Sequence, residues 1–307
     1  MMKTAAVAFF LALIPTALVL VSGCAGTQPA ANHAAVCPVR IGVWGHKGVE
    51  HSRPGNTASS YVLAASLHLN GETDVQYSSD GVPVIMHDHT VNGTTGGAGN
   101  VRDLTAAQLG ALRATHYAPW STSLYSDERV PTLARVLAPM ASSGQSILLD
   151  MHATPTFANW AATRNVVHAA GMDSRVIVMS NPDVLADVKV WSPTFARMII
   201  EYLPGATNAT HNVKTPGGWG RTAESVLATS PFYGLPLRSV SQPVVNYYRS
   251  HGIRFFVWTT DNPALDDAVT WANLVRWGVS DIITSDPAGL TAYLDSRACP
   301  KAGTLDK

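Results

Sequence analysis

Short apolar runs recur along the chain from Ile41 onward, each ending in polar or glycine residues and followed by a stretch with helical spacing. The runs are Ile41–Trp44, Val82–Met86, Ile147–Leu149, Val176–Met179, Met198–Ile200, Phe255–Trp258 and Ile282–Thr284, with Tyr233–Leu237 a further candidate. Glu72–Tyr77 reads as a weaker, more polar strand. Helical patterns lie near residues 57–69, 132–142, 156–170, 182–190, 241–251 and 264–276. Strands alternating with helices predict a parallel α/β fold. Alternation sustained over about 250 residues suits a single closed (β/α)8 barrel, the TIM barrel. A doubly wound open sheet is the alternative, but no strand is followed by the glycine fingerprint of a dinucleotide site. Residues 89–130, rich in Gly, Thr and Asn, break the pattern for longer than any other stretch. A loop that long inside one domain is usually functional or disordered.

The first residues follow another pattern. Lys3 precedes an almost wholly apolar run from Ala5 to Val21, and Ser22-Gly23-Cys24 follows. A charged start, an apolar centre and a small-residue end describe a secretory signal. The alternative is an uncleaved membrane anchor, since the run is near the lower spanning length. Val21-Ser22-Gly23-Cys24 resembles a bacterial lipobox, which implies cleavage before Cys24 and lipidation of its thiol. The expected organisation is a signal over residues 1–23, a small polar tether over 24–38, the barrel over 39–299 and a tail over 300–307. A lipidated Cys24 would hold the chain at the outer face of a bacterial membrane; without it the chain would be secreted. Cys37 and Cys299 bracket the barrel, and export to an oxidising compartment predicts a disulfide between them, with two free thiols as the alternative. One lipid thiol and one bridge account for all three cysteines.

Composition removes several classes. The chain has 307 residues, 46% of them hydrophobic and 14% charged, and its 21 Lys+Arg balance 21 Asp+Glu. A disordered chain would be less apolar and carry more net charge. A nucleic-acid binder would usually show a basic excess, so no nucleic acid is expected as a partner.

Ionisable residues cluster where the apolar runs end. Gly45-His46-Lys47-Gly48 closes the first run, His87-Asp88 follows Met86, Asp150-Met151-His152 follows Leu149, and Glu201 follows Ile200. Glu72 and Asp74, two apart on a strand, share a face. In a parallel barrel the C-terminal strand ends meet at one mouth, so these groups should converge. Two carboxylates on one face repel unless a cation or a proton lies between them, and their oxygens suit hard cations such as Mg2+ or Ca2+. Asp150 could complete a set of three, with Glu201 in reserve. Two histidines beside a metal suit general acid–base work, and Lys47 could offset a phosphate charge. Each residue has an ordinary alternative: a loop histidine, a solvated strand face, helix caps at Asp150 and Glu201, a solvated lysine. Their joint placement at strand ends favours the functional reading.

These residues resemble the glycerophosphodiester phosphodiesterases of the phospholipase-C-like barrel superfamily. That family's His-Arg-Gly and Pro-Glu-Asn-Thr correspond to His46-Lys47-Gly48 and Pro54-Gly55-Asn56-Thr57. Its Glu-x-Asp, Asp-Gly and His-Asp correspond to Glu72-Thr73-Asp74, Asp80-Gly81 and His87-Asp88. Thr95-Gly96-Gly97, Val130-Pro131-Thr132-Leu133, Asp150-Met151-His152, Trp258-Thr259 and Ile282-Ile283-Thr284…Asp286-Pro287 continue the series in order. The resemblance implies a TIM barrel, a divalent metal and two catalytic histidines. It implies Glu72, Asp74 and Asp150 as metal ligands and His46 and His87 as acid and base. Lys47, His152 and Trp258 would bind substrate. The departures are Lys47 for Arg, Gly55 for Glu, Asp150 for Glu and His152 for Lys. A lysine lacks the bidentate fork of arginine. Asp150 in place of Glu also resembles the sphingomyelinase-D-like branch. The activity expected is hydrolysis of glycerophosphodiesters to glycerol 3-phosphate and an alcohol. The alternatives are a phospholipase-like enzyme acting on lipids and a non-catalytic phosphodiester-binding lipoprotein.

Overall fold

The computed structural model describes residues 37–201, 213–215, 218–260 and 263–302. The predicted signal, Cys24, nearly all of the predicted tether and residues 303–307 of the predicted tail lie outside the described residues. Eight parallel strands close into a barrel: β1 Gly42–Gly45, β2 Asn70–Tyr77, β3 Ile147–Met151, β4 Val176–Ser180, β5 Ala196–Ile200, β6 Phe232–Pro236, β7 Arg254–Trp258 and β8 Asp281–Thr284. Each strand pairs with its chain neighbours, and β1 pairs with both β2 and β8. The helix after each strand packs outside: α1 Ala58–Ser66, α2 Leu133–Ser143, α3 Phe157–Ala169, α4 Pro182–Trp191, α5 Ala223–Leu227, α6 Gln242–Ser250, α7 Ala268–Trp277 and α8 Pro287–Ser296. The TIM barrel expected from the alternating pattern is the observed fold. The short α5 and the full-length α8 lie outside the predicted helical patterns. The signal for α8 was present, since Asp286 accepts from Gly289 N and Pro287 occupies the first turn. Among the described residues no helix is long and apolar enough to cross a membrane.

The apolar runs are continuous because barrel strands are buried on both faces. On β4, Ile177 and Met179 fill the barrel interior, while Val176 and Val178 face the helices. The same alternation puts Phe256 and Trp258 of β7 inside and Phe255 and Val257 outside. Helices answer with one apolar stripe: Leu133, Val136, Leu137 and Met140 are the buried residues of α2, at helical spacing. At the N-terminal end of the barrel, wholly buried Asp281 accepts from Trp44 Nε1 at 2.8 Å and pairs with Arg254 at 2.6 and 2.7 Å. Gly42 lies beside it because a Cβ there would stand 1.9 Å from Asp281 Oδ1.

Val82–Met86 is not a barrel strand. Its core, Pro83–Ile85, runs antiparallel to the outer half of β2, with Val75 opposite Ile85 and Tyr77 opposite Pro83. β2 is eight residues long and outruns its neighbours, so the chain turns at Asp80-Gly81 and comes back down beside it. Residues 89–130 are ordered by short helices at Asn92–Thr95 and Ala106–Ala111, the second opened by a Thr105/Gln108 capping box. They share a small apolar core of Val84, Met86, Val91, Val101, Leu109, Ala114 and Val130.

Cys37 and Cys299 are joined by a disulfide, with Cα atoms 5.3 Å apart. Beside it Ile41 N donates to Pro300 O at 3.0 Å, and Ala302 N donates to Ile41 O at 2.9 Å. The start and end of the barrel are therefore held together covalently and by backbone pairing.

Candidate active site

The C-terminal mouth of the barrel collects the charges. Glu72 and Asp74 on β2 occupy inward positions that apolar residues fill on other strands, and the register sets Glu72 beside Leu148 and Asp74 beside Asp150. Ligand atoms of Glu72, Asp74 and Asp150 lie within 4.8 Å of one another, and all three residues are buried. Glu201 does not join them; it is held by Arg221 Nε at 2.6 Å and by Tyr233 Oη at 2.7 Å.

The loop after β1 is fixed from several sides. His46 N donates to Thr284 O at 2.9 Å, and Ser60 Oγ of α1 donates to Lys47 O at 2.8 Å. Lys47 adopts φ 50°, which aims its backbone N–H at Glu72 Oε2, 2.9 Å away, while its Nζ stands 3.9 Å from Asp74 Oδ2. Asn56 also has a positive φ, and its Nδ2 donates to Asp74 Oδ2 at 2.5 Å. The ring of His46 donates or accepts through Nδ1 at Glu50, and its Nε2 is 4.0 Å from Glu72 Oε2.

His87 arrives by the antiparallel return rather than at the end of a barrel strand. Met86 N donates to Asp74 O at 3.0 Å, so the next residue lies at the level of the carboxylates. Gln76 Nε2 pins this corner by donating to the carbonyls of Met86, His87 and Asp88 at 2.9, 3.1 and 2.5 Å. His87 Nδ1 meets Asp88 Oδ1 at 2.8 Å, and its ring lies 4.5 Å from that of His152. His152 Nε2 is turned into the acidic cluster, 2.8 Å from Asp74 Oδ1 and 3.3 Å from Asp150 Oδ2.

These groups line one side of a cavity of about 210 Å3, faced by Met179, Ile200, Trp258 and Ile283. A second cavity, of about 370 Å3, shares Lys47 and His87 with the first and is walled by Thr94 and Tyr117 from the 89–130 segment. Every residue named from the sequence as a site candidate lines the first cavity except Glu201. Sequence reasoning missed Glu50 and Gln76, whose only signal was their nearness in sequence to His46 and Asp74.

Burial and mutual repulsion set the charge states. Burial, and then the charge of Asp74, pushes Glu72 up to about 8. Burial also raises Asp150. For Asp74, burial acts upward, but the hydrogen bond to His152 and the charge of Lys47 outweigh it and hold the carboxyl well below its usual range. Burial acts against the His152 imidazolium, yet its bonds to Asp150 and Asp74 lift it to about 11. His46 is raised as well: burial opposes this, and Glu50 prevails. Three carboxylates buried within reach of one another, with Glu72 kept protonated by burial and by the charge of Asp74, are an all-oxygen donor set. That set fits a hard divalent cation.

The model of the glycerophosphoryl diester phosphodiesterase family matches residues 46–288, from His46 through β8. The chain belongs to this family. The family resemblance read from the ordered motifs is thereby borne out. Glycerophosphodiester phosphodiesterase 1 of Rattus norvegicus is 35% identical over 130 residues, 41% of this chain and 38% of that protein. The chain thus spans well under half of the mammalian relative's length. A glycerophosphodiester phosphodiesterase of Caldanaerobacter subterraneus is 26% identical over 249 residues, 80% of this chain and 94% of its own. Among solved structures, an Oleispira antarctica phosphodiesterase in complex with the product sn-glycerol-3-phosphate superposes with a TM-score of 0.68 at 22% identity. It covers 83% of this chain and 96% of its own, and the likeness is one of fold.

Proposed function

We propose that the chain is a divalent-cation-dependent hydrolase that cleaves glycerophosphodiesters to glycerol 3-phosphate and an alcohol. The observation that carries this reading is the convergence of Glu72, Asp74 and Asp150 with His46, Lys47 and His87 around one cavity. Family membership and the product named for the Oleispira neighbour support the substrate class.

Glu72, Asp74 and Asp150 would hold Mg2+ or Ca2+, which would polarise a nonbridging phosphate oxygen. Lys47 lies beside Asp74 and adds a second positive charge at the phosphate, while Trp258 walls the substrate. His152, protonated by its carboxylate partners, contributes a further positive charge at the cavity. One of His46 and His87 removes a proton from the attacking hydroxyl, which belongs to water or to the substrate's own neighbouring glycerol; in the second case the alcohol leaves with formation of a cyclic phosphate, which water then opens to glycerol 3-phosphate. The other protonates the alkoxide as its P–O bond breaks. Met179, Ile200 and Ile283 opposite the charges lower the local polarity, which strengthens every electrostatic contact at the phosphate.

A panel of soluble glycerophosphodiesters, assayed with and without chelator, tests the proposal. Glycerol 3-phosphate and free alcohol should appear, vanish with EDTA and return with Mg2+ or Ca2+; no release from any diester would overturn it. Asp150, one methylene shorter than the family's glutamate, favours a second reading, a sphingomyelinase-D-like enzyme acting on lipid diesters. Turnover confined to lysolipids or sphingomyelin, with a cyclic phosphate product, would select that reading. Export with lipid attachment at Cys24 completes the proposal. The mature chain should begin at Cys24 with the added mass of a diacylglyceryl group on its sulfur, and an unmodified cysteine there would exclude the anchor.

A further inference from the structure

One carboxylate at the mouth has no part in the motifs or in the mechanism above. Glu50 Oε1 is hydrogen-bonded to His46 Nδ1, and Ser285 Oγ donates to the same oxygen at 2.6 Å. The loop is also tied to Ser285 through its backbone, as His51 N donates to Ser285 O at 3.1 Å. Ser285 is itself fixed, its N–H donating to Asp266 Oδ2 at 2.7 Å. Asp266 in turn accepts from Thr259 Oγ1 at 2.7 Å, Trp271 Nε1 at 2.9 Å and Thr284 Oγ1 at 2.7 Å. A line of hydrogen bonds therefore runs from the β7–β8 end of the barrel to the imidazole of His46.

Gly55 explains why Glu50 fits. A Cβ at residue 55 would lie 2.9 Å from Lys47 Cβ, 3.2 Å from Glu50 Cβ and 3.3 Å from Glu50 Oε2. Gly55 is not among the glycines of positive φ, so the missing side chain answers to space and not to backbone conformation. The motif that Pro54–Thr57 resembles carries glutamate at this position. A glutamate at 55 and Glu50 in its present place would compete for one volume.

We propose that Glu50 is the positioning residue of His46, supplying from position 50 an acidic group at the space that Gly55 leaves open. A neutral imidazole carries its proton on one nitrogen, and the partner of that nitrogen decides which. With Nδ1–H donated to Glu50, the lone pair of Nε2 is directed to the cavity, toward Glu72. Ser285 stops the carboxylate from rotating away. The idea rests on the proposed role of His46 in proton transfer.

Two measurements on the full chain test it. The first is kinetics of wild type, Glu50→Ala, His46→Ala and the double variant on a turned-over glycerophosphodiester. Glu50→Ala should lower kcat about 10- to 100-fold, the range for outer partners that orient an imidazole, with KM within about twofold. On the His46→Ala background the same change should cost less than about twofold, since its effect passes through the ring. Ser285→Ala, a milder change, should lower kcat severalfold and serves if Glu50→Ala does not fold. Unchanged kcat in both single variants, or the full Glu50→Ala loss repeated on His46→Ala, would overturn the proposal. The second is 15N NMR of the His46 ring, which should show Nδ1–H in wild type and lose that preference in Glu50→Ala. A ring indifferent to residue 50 would also overturn it. If wild type turned over no diester, the functional reading would fall while the ring spectra would still decide the role of Glu50.

Discussion

Cation binding at the barrel mouth should expel protons, so its affinity should climb with pH. Burial and the charge of Asp74 push Glu72 up to about 8. A cation that needs the Glu72 carboxylate must first displace its proton, at about 1.4 kcal/mol for each unit below that value. Between pH 6 and pH 8 the fraction ionised rises about 50-fold, equivalent to about 2 kcal/mol of apparent binding energy. His152 acts in the same direction, since a cation competing for Asp74 and Asp150 weakens the bonds that keep its imidazole protonated. Calorimetric titration with Mg2+ and with Ca2+ at pH 6, 7 and 8, in buffers of unlike ionisation enthalpy, reads both affinity and protons released. A steep rise from pH 6 to pH 8 is expected, with about one proton or more released for each cation bound. Affinity independent of pH, or proton uptake, would refute the charge assignment of the cluster. Stability without cation should run the other way. The folded protein holds the Glu72 proton more tightly than the unfolded chain, so this group's contribution falls as pH rises from about 4.5 to about 8. The contribution of His152, complete below about 6.5, also fades as pH climbs toward about 11. Asp74, whose folded value is depressed, contributes fully throughout this window. Chelated protein should therefore lose melting temperature from pH 6 to pH 8, and saturating cation should flatten that slope.

Three further outcomes follow from the geometry. His46→Ala and His87→Ala should each reduce kcat at least about 100-fold in steady-state assays, and full activity in either would remove that residue from proton transfer. The disulfide spans 262 residues of sequence, so reduction, or Cys37→Ser with Cys299→Ser, should cost about 2–4 kcal/mol in urea unfolding; an unchanged midpoint would show that pairing of Ile41 with residues 300–302 suffices. Asp281→Ala removes a wholly buried carboxylate shared by Arg254 and Trp44 and should destabilise by about 3 kcal/mol, yet leave kcat of the folded protein unchanged, because it lies at the opposite end of the barrel from the histidines.

The barrel was legible because its physics is repetitive. Strands apolar on both faces give unbroken runs, and seven of the eight barrel strands announced themselves in that way or nearly so. β2 looked weak for a reason that belongs to the site: Glu72 and Asp74 replace apolar residues at its inward positions. The misplaced strand was Val82–Met86, whose composition is that of a barrel strand. Only the excess length of β2 gives it an antiparallel partner, and length relative to neighbours is a property of the assembled sheet. Residues 89–130 hid their order because helices of four and six residues are too short to express a period.

The site divides along the same line between local and assembled properties. Motif spacing carried His46, Glu72, Asp74, His87 and Asp150, since strand ends of a parallel barrel converge whatever lies between them. It could not choose between Asp150 and Glu201, which both follow apolar runs. The choice is made by Arg221 and Tyr233, distant in sequence from the cluster, which hold Glu201 aside. Glu50 is the sharper case. Its partner Ser285 lies 235 residues away, and its space exists only because Gly55 has no side chain. Read along the sequence, Gly55 is the loss of an acid from a motif. In the folded chain the same position is an opening that a second acid fills, so a departure from the motif marks where to look for the group that compensates it.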